Sequence, residues 1–252
     1  MRNSNTLFIG KVLLDFPSLP STNQYAQDLL AEGRPEEGTV ISTRRQTQGK
    51  GQAGTAWESA PLQNITLSVI LYPAFLEAQS HFALNQAVAL AVHDLVASHV
   101  SGPVHIKWPN DIYIGDGKTA GILIQTAMKG ARFQYCIAGI GINVNQTAFP
   151  PNLPTPASKA IAEGSAFDLD ALRNSLFLHL ETRYRQLRNG ASEHIREEYL
   201  KRLYRKDMPA KFRDGRTFDG RITGVSRQGK LIIWNEGREE EFDVKEVSFG
   251  RR

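Results

Sequence analysis

The sequence predicts an α+β fold that ends in a small β-barrel. Segments with the apolar spacing of helices are interspersed with short apolar or β-branched runs, which turn signals such as Gly115–Asp116–Gly117 separate. This punctuation is typical of hairpin-linked, mostly antiparallel strands. After about Arg205 the chain changes to short strands joined by Asp-Gly, Gln-Gly and Glu-Gly turns, which is typical of a small barrel. We therefore predict one domain over residues 1–204 and a barrel module over residues 205–252.

Helical periodicity defines four segments. They cover residues 21–33, 81–100, 169–187 and about 195–203. Ser21 or Thr22 can cap the first of these helices, and Gly33 ends it. Asn189–Gly190 stops the third.

Six apolar or β-branched runs predict the strands of the first domain. They are GTVIST, NITLSVILY, VHIKW, DIYI, AGILIQTAM and FQYCIAGIGINV. In NITLSVILY, apolar Ile65, Leu67 and Val69 alternate with Thr66 and Ser68, which predicts a half-buried strand. The proline-rich stretch FPPNLPTPAS predicts an irregular connection between the last of these strands and the third helix.

Composition predicts a soluble protein of the cytoplasm. The chain has 252 residues, 41% of them hydrophobic, and its 30 basic and 26 acidic residues give a net charge of +4. This excess is too small to require a polyanionic partner. The single cysteine, Cys136, lies in an apolar run and cannot form an internal disulfide, and no apolar run is long enough to span a bilayer. The six histidines lack metal-ligand spacing, so we expect no zinc site.

The stretch QTQGKGQAGTAW contains a G-x-G-x-x-G pattern at Gly49, Gly51 and Gly54. A dinucleotide-binding loop needs a helix directly after the glycines, but here a proline and then a predicted strand follow. A phosphate-binding P-loop is excluded too, because no G-K-[S/T] is present. Two interpretations remain: a mobile hairpin loop, or a loop that brings Arg44, Arg45 and Lys50 over a phosphorylated or adenylated ligand.

KWPNDIYIGDGKTAGIL is the most distinctive stretch of the chain. Pro109 and Asn110 interrupt two strand-like runs, so Asp111 is expected at a strand end, and the Asp-Gly turn is expected to bring Lys118 near Lys107 on an adjacent strand. One carboxylate with two lysines suits a carboxylate substrate together with ATP, because the lysines neutralise negative charge. The alternative is a surface hairpin with ordinary salt bridges.

GIGINVN ends an apolar strand. Asn143 and Asn145 are predicted on one face of it, and Gly139 and Gly141 leave room for a flat group near the backbone. An asparagine amide has the donor and the acceptor needed to bind an adenine edge. The alternative is a tightly packed core strand.

Taken together, STN at Ser21–Asn23, QTQGKGQAGTAW, KWPND, KTAGIL and GIGINVN resemble the biotin–protein ligases in order and rough spacing. The resemblance implies a class II synthetase-like mixed sheet with helices, followed by an SH3-like barrel. It also implies the short, monofunctional form without an N-terminal DNA-binding domain. Lipoate or octanoate ligases and transferases share this fold class and are the main alternative.

The resemblance implies a two-step reaction. Biotin and MgATP would give biotinyl-5′-AMP and pyrophosphate, and a lysine of a biotin carboxyl carrier protein, such as that of acetyl-CoA carboxylase, would then displace AMP. It implies a protein partner rather than DNA or a membrane, and it is compatible with a homodimer.

The same motifs imply roles for individual residues. The implied catalytic residues are Lys118, Asp111 and Lys50. The implied biotin-binding residues are Ser21, Thr22, Asn23, Gln46, Gly51, Lys118 and Gly121. The implied nucleotide-binding residues are Lys50, Gln52, Trp57, Lys107, Asn110 and Asn143. Magnesium would come with ATP, with Asp111 as a candidate ligand.

Three positions depart from the pattern of this family. Where G-R-G-R is common, the chain has Lys50 and Gln52 in place of the two arginines, so one charge is lost and one guanidinium is replaced by an ammonium. Gln125 stands where a glutamate is common. The two loop changes predict weaker retention of the adenylate.

Overall fold

A computed structural model describes residues 5–151, 153 and 156–249 of the chain. Its larger sheet has seven strands: β1 Leu13–Phe16, β2 Val40–Thr43, β3 Asn64–Leu71, β4 Val104–Lys107, β5 Asp111–Ile114, β6 Gly117–Lys129 and β7 Arg132–Asn143. Their order is β1-β2-β3-β7-β6-β5-β4. Only β1 and β2 run parallel, and the other neighbouring pairs are antiparallel. This mixed, mostly hairpin-linked sheet confirms the predicted fold class.

In the described part of the chain, five α-helices accompany the sheet: α1 Thr22–Glu32, α2 His81–Ala97, α3 Lys159–Glu163, α4 Leu169–Arg188 and α5 Ser192–Lys201. α1 packs on β3 and β7, whereas α2 packs on α4, α5 and strands β4 to β6. The predicted long helices are confirmed, and Ser21 is the N-cap of α1, with its side chain accepting a hydrogen bond from the Gln24 N–H. The short helix α3 was not predicted. None of the described helices is long and apolar enough to cross a membrane.

The prediction of a half-buried β3 is wrong, because all eight of its residues are buried. β3 lies between β2 and β7, and helices cover both sheet faces. Ile70 packs in the apolar cluster beneath α1, and Val69 packs in the main core on the opposite face. The alternation in the sequence is therefore real, but it separates two buried faces. Ser68 points to the same face as Ile70, because side chains two positions apart share a face.

The carboxyl-terminal part forms a second sheet from β8 Pro209–Arg213, β9 Thr217–Val225, β10 Leu231–Asn235, β11 Arg238–Phe242 and β12 Ser248–Phe249. The order β11-β10-β9-β8-β12 is antiparallel throughout, and β11 and β12 are edges within the described residues, so the predicted barrel does not close there. Phe218 stacks between Phe212 and Phe242, at ring-centroid distances of 5.8 and 6.0 Å. Two hydrogen bonds that join this sheet to the larger part of the chain run from the Trp108 indole to the Gly229 carbonyl at 2.8 Å and from the Arg196 guanidinium to the Val225 carbonyl at 2.9 Å.

Candidate functional site

A cavity of about 250 Å³ opens between the start of α1, the glycine loop and the face of the large sheet that α1 covers. It brings together most of the residues that the sequence singled out. Those lining it are Ser21, Thr22, Asn23, Gln46, Lys50, Gly51, Gln52, Trp57, Asn110, Asp111, Lys118 and Gly121. Segments that are far apart in the chain thus converge on one site, and the sheet positions them.

One end of the cavity is built from neutral hydrogen-bonding groups. The Gln46 side-chain oxygen accepts from the Thr22 backbone N–H at 2.9 Å and lies 3.3 Å from the Thr22 hydroxyl. Ser21, Thr22 and Asn23 are buried because they form the first turn of α1 against the sheet. A fixed set of neutral donors and acceptors suits a polar, uncharged head group, because such a group must exchange its water contacts for equivalent hydrogen bonds.

Charge lies elsewhere in the same cavity. The Lys118 ammonium is 2.8 Å from the Asp111 carboxylate, and the two side chains are 31% and 25% exposed. Asp111 opens β5 directly opposite Gly121 of β6, and an irregularity in the register between Ile112 and Tyr113 offsets the pairing toward Lys118. The pair is thus accessible to a ligand, and a negatively charged ligand can approach Lys118 without burying an isolated charge.

The Trp57 indole lies against two glycines of the cavity wall. Gly121 and Gly141 are paired opposite each other on β6 and β7. A Cβ on Gly141 would lie 2.3 Å from Trp57 Cε2, and a Cβ on Gly121 would lie 3.1 Å from Trp57 Cζ3. Gly139 gives similar room to Asn23, whose Oδ1 would be 2.2 Å from an added Cβ. The flat group that the glycines accommodate in this structure is therefore a tryptophan of the chain itself.

The glycine loop folds as a small hairpin. Lys50 pairs with Ala56, the Gly51 N–H donates to the Thr55 carbonyl at 2.6 Å, and the Trp57 N–H donates to the Gly49 carbonyl at 3.0 Å. A single 3₁₀ turn, Gln52–Gly54, forms the tip, and β3 follows. The rejection of a dinucleotide-binding loop is thus confirmed, because no helix begins after the glycines. Closure of this hairpin over a ligand stays a prediction.

The structure does not bring Lys107 into the cavity wall. Its ammonium donates to the Tyr113 hydroxyl at 3.0 Å and faces the rings of Tyr113 and Phe249 at 4.9 and 5.2 Å. Burial lowers the pKa of Lys107. The prediction that Lys107 and Lys118 occupy adjacent strands is wrong, because β5 lies between β4 and β6.

Asn143 and Arg44 also lie outside the cavity wall. Asn143 is buried on the same face as Gly141, and its amide donates to the Ala157 carbonyl at 3.2 Å. Arg44 pairs with Asp15 at 3.2 Å and with Asp170 at 3.0 Å, because β1 and the start of α4 present both carboxylates to it. The lysines that line the cavity are Lys50 and Lys118.

Asn110 lines the cavity, but its side-chain amide forms a hydrogen bond within the sheet. Its side chain donates to the Ile122 carbonyl, and its own carbonyl accepts from the Ile122 N–H at 3.2 Å. With only 4% of its surface exposed, Asn110 holds the turn before β5 against β6. This position fixes the start of β5 and hence Asp111.

Sequence reasoning missed several apolar and small lining residues. They are Thr55, Ala56, Thr66, Leu67, Ile122, Leu123 and Ile140. The one signal for Thr66 in the sequence was its alternation with Ile65 and Leu67, and the structure adds that it lies opposite Gly141 across the β3–β7 pairing. Among the described residues there is no group of three or more His, Cys, Asp or Glu side chains that could hold a metal ion. Mg²⁺ that arrives on substrate phosphates needs only one or two protein carboxylates, so Asp111 as a ligand for it stays a prediction.

The amino-acid sequence matches the sequence model of the Biotin/lipoate A/B protein ligase family over residues 16–143. The chain therefore belongs to the biotin/lipoate A/B protein ligase family. It is 33% identical to the bifunctional ligase/repressor BirA of Bacillus subtilis over 239 residues, covering 92% of this chain and 72% of the relative. It is 30% identical to the biotin–[acetyl-CoA-carboxylase] ligase of Paracoccus denitrificans, covering 91% of this chain and 97% of the relative.

A solved structure has the same fold. The biotin protein ligase from Aquifex aeolicus in complex with biotin and ATP superposes with a TM-score of 0.80 at 23% identity, covering 96% of this chain and 100% of that chain. The match extends over both sheets, so the second, five-stranded sheet is part of the shared architecture.

Proposed function

We propose that the chain is an ATP-dependent ligase that activates biotin as biotinyl-5′-AMP and transfers it to a lysine of a biotin carboxyl carrier domain. The observation that carries this proposal is the Lys118–Asp111 pair, 2.8 Å apart in the same cavity as the neutral Thr22–Gln46 end. A molecule with an uncharged polar ring and a carboxylate matches both ends. Relatives named as biotin ligases support biotin as that molecule.

In the first half-reaction, a biotin carboxylate oxygen attacks the α-phosphorus of ATP and pyrophosphate leaves. Negative charge develops on the phosphoryl oxygens, and we assign its stabilisation to the Lys118 ammonium, because this lysine lines the cavity. The neutral end, with Ser21, Thr22, Asn23 and Gln46, holds the ring and so orients the carboxylate. Gly51 and Gly121 contribute backbone surface close to the ligand.

In the second half-reaction, the amine of an acceptor lysine attacks the acyl carbon, an amide bond forms, and AMP leaves with the electrons of the broken C–O bond. We assign Asp111 to this step, because a carboxylate beside Lys118 can attract the acceptor ammonium and take up a proton. The hairpin that carries Lys50 and Gln52 would cover the adenylate and exclude water, which otherwise hydrolyses it.

For the nucleotide we propose Lys50, Gln52, Trp57 and Asn110, which line the cavity, as contacts or supports. Roles for Lys107 and Asn143 in nucleotide binding stay predictions. Magnesium would arrive on the triphosphate of ATP as part of the substrate complex, since Asp111 is the carboxylate that faces the cavity and it is paired.

The domain boundaries and the protein partner are also proposals. We propose residues 1–204 as the catalytic domain and residues 205–252 as its carboxyl-terminal module. A carrier protein such as that of acetyl-CoA carboxylase is the proposed partner, and a cytoplasmic location, a homodimer and the lack of a DNA partner stay predictions.

The deciding experiment measures ATP–pyrophosphate exchange and then transfer of label to a carrier domain, in parallel with biotin and with lipoate. We expect biotin to support both reactions and lipoate neither. Exchange with lipoate but not with biotin would refute the assignment in favour of the lipoate branch of the family.

A further inference from the structure

Behind the neutral end of the cavity, four polar side chains form a continuous hydrogen-bonded row, here named the polar relay: Gln125, Asn23, Ser68 and Thr22. Gln125 Oε1 accepts from Asn23 Nδ2 at 3.0 Å. Ser68 Oγ lies 2.6 Å from Asn23 Oδ1 and 2.7 Å from Thr22 Oγ1. Ser68 is fully buried and its two neighbours nearly so, so bulk water cannot replace these contacts. Of the four, Ser68 and Gln125 are not part of the cavity wall.

The direction of the relay follows from groups that can only accept. The Leu123 carbonyl lies 3.4 Å from Asn23 Nδ2, and Gln125 Oε1 also accepts from Gln27 Nε2 at 3.2 Å. Because a backbone carbonyl can only accept, the Leu123 contact requires the Asn23 amide nitrogen to face β6, so that its oxygen faces Ser68. An amide oxygen only accepts and a hydroxyl carries one hydrogen, so Ser68 donates to Asn23.

The Thr22 hydroxyl hydrogen then has two possible acceptors. Ser68 Oγ is 2.7 Å away and Gln46 Oε1 is 3.3 Å away, so the shorter contact takes the hydrogen. Gln46 Oε1 keeps its hydrogen bond from the Thr22 backbone N–H at 2.9 Å in this arrangement. Thr22 is therefore left with lone pairs that face the cavity, and it acts there as an acceptor.

We propose that the polar relay fixes Thr22 as a hydrogen-bond acceptor and thereby selects ligands whose ring presents an N–H group at this end of the cavity. This inference rests on the proposed function, because the cyclic urea of biotin carries such N–H groups. A dithiolane ring has no N–H and gains nothing from an acceptor there. Ser68 and Gln125 are positioning residues, since they act through Asn23 and Thr22. Sites that bind a ligand N–H discriminate strongly against analogues without it.

The test compares KM for biotin and KM for ATP in biotin-dependent ATP–pyrophosphate exchange. Ser68→Ala frees the Thr22 hydroxyl to rotate, and we expect KM for biotin to rise about 3-fold to 10-fold with KM for ATP within about twofold of native. Gln125→Glu keeps an acceptor for Asn23, so it is expected to bind biotin better than Gln125→Met, which removes it. Ser42→Ala is the matched control: Ser42 is equally a buried serine, on β2, but it contacts Arg173 at 3.3 Å instead of the relay.

A second readout separates positioning from general packing. Biotin and an analogue methylated at a urea nitrogen are compared as ligands of the native protein and of Ser68→Ala, and we expect the variant to discriminate less between them. The relay is overturned if Gln125→Glu is worse than Gln125→Met, if Ser68→Ala matches Ser42→Ala, or if KM for ATP rises as much as KM for biotin. If the native protein catalyses biotin-dependent exchange and Ser68→Ala has the same KM for biotin, only the polar relay is overturned. If the native protein shows no biotin-dependent exchange, the proposed function is overturned as well.

Discussion

Gly141 and Gly121 are a matched pair of positions beneath the Trp57 indole. They are opposite each other in neighbouring strands, and neither has a positive φ, so alanine suits both backbones. An added Cβ would lie 2.3 Å from the indole at position 141 but 3.1 Å from it at position 121. We predict that Gly141→Ala displaces the indole from the cavity wall and that Gly121→Ala requires a shift of only a few tenths of an ångström.

The size of the effect follows from these distances. To reach an ordinary contact, the separation at Gly141 must grow from 2.3 Å to about 3.4 Å, and the nearest atoms belong to the rigid ring rather than to a flexible end. Overpacking of this kind costs about 1–3 kcal/mol. Because the indole forms part of the cavity wall, we expect this free energy to be lost from ligand binding. It corresponds to about a 5-fold to 140-fold rise in KM for biotin. Gly121→Ala is expected to stay below about 5-fold.

The assay is biotin-dependent exchange with each variant, in the native background and in Trp57→Ala. Without the indole, an alanine at position 141 has nothing to displace, so Gly141→Ala should add little to Trp57→Ala. Equal effects of the two glycine substitutions, or a full effect of Gly141→Ala in the Trp57→Ala background, would contradict the argument.

Three further predictions concern charge. Lys118→Ala should lower the rate of adenylation about 10²-fold to 10³-fold while changing the free energy of unfolding by less than about 1 kcal/mol, as stopped-flow pyrophosphate release and denaturant unfolding can show; a full-rate pyrophosphate burst would contradict its role. Lys159 is fully buried with its pKa lowered to about 8 by burial, so Lys159→Met should stabilise the fold at pH 7 by roughly 1–3 kcal/mol. Between pH 8 and the ordinary lysine pKa, Lys159 holds its proton in the unfolded chain but has lost it in the folded chain, so the native protein gains stability as the pH rises. The stability advantage of Lys159→Met should therefore vanish over this range. A constant advantage would refute burial of the charged Lys159 as its cause. Gln52→Arg should slow escape of the adenylate without acceptor, and equal escape rates would remove Gln52 as the cause.

Much of the fold followed from local pattern. The caps, glycines and helical spacing placed α1, α2, α4 and α5 because these signals act over a few residues. What the sequence could not show is which elements cover which sheet face. The half-buried prediction for β3 failed for this reason, since α1 and the pair α2 and α4 lie on opposite sides of one sheet.

The site was predictable where motifs sit at strand or helix ends. Asp111 opens β5 and Thr22 opens α1, and both side chains reach the cavity. Lys107 was misplaced because its motif gives sequence distance but not strand order: the hairpin of β5 and β6 inserts β5 between it and Lys118. Which side of a strand faces a ligand depends on pairing register, and that is set by contacts distant in sequence.

The alternation of apolar and small polar residues in β3 also locates the cavity. On β3, Thr66 and Ser68 share a face, and their partners across the pairing are Gly141 and Gly139. A buried face of small polar residues opposite glycines cannot form a close-packed apolar core, because it lacks the side-chain volume. That space must be filled from outside the sheet, and in this structure Asn23 and the Trp57 indole lie directly over the two glycines. Alternating small polar residues on one central strand, opposite alternating glycines on its neighbour, therefore locate the cavity, and the same alternation places Ser68 behind the cavity wall.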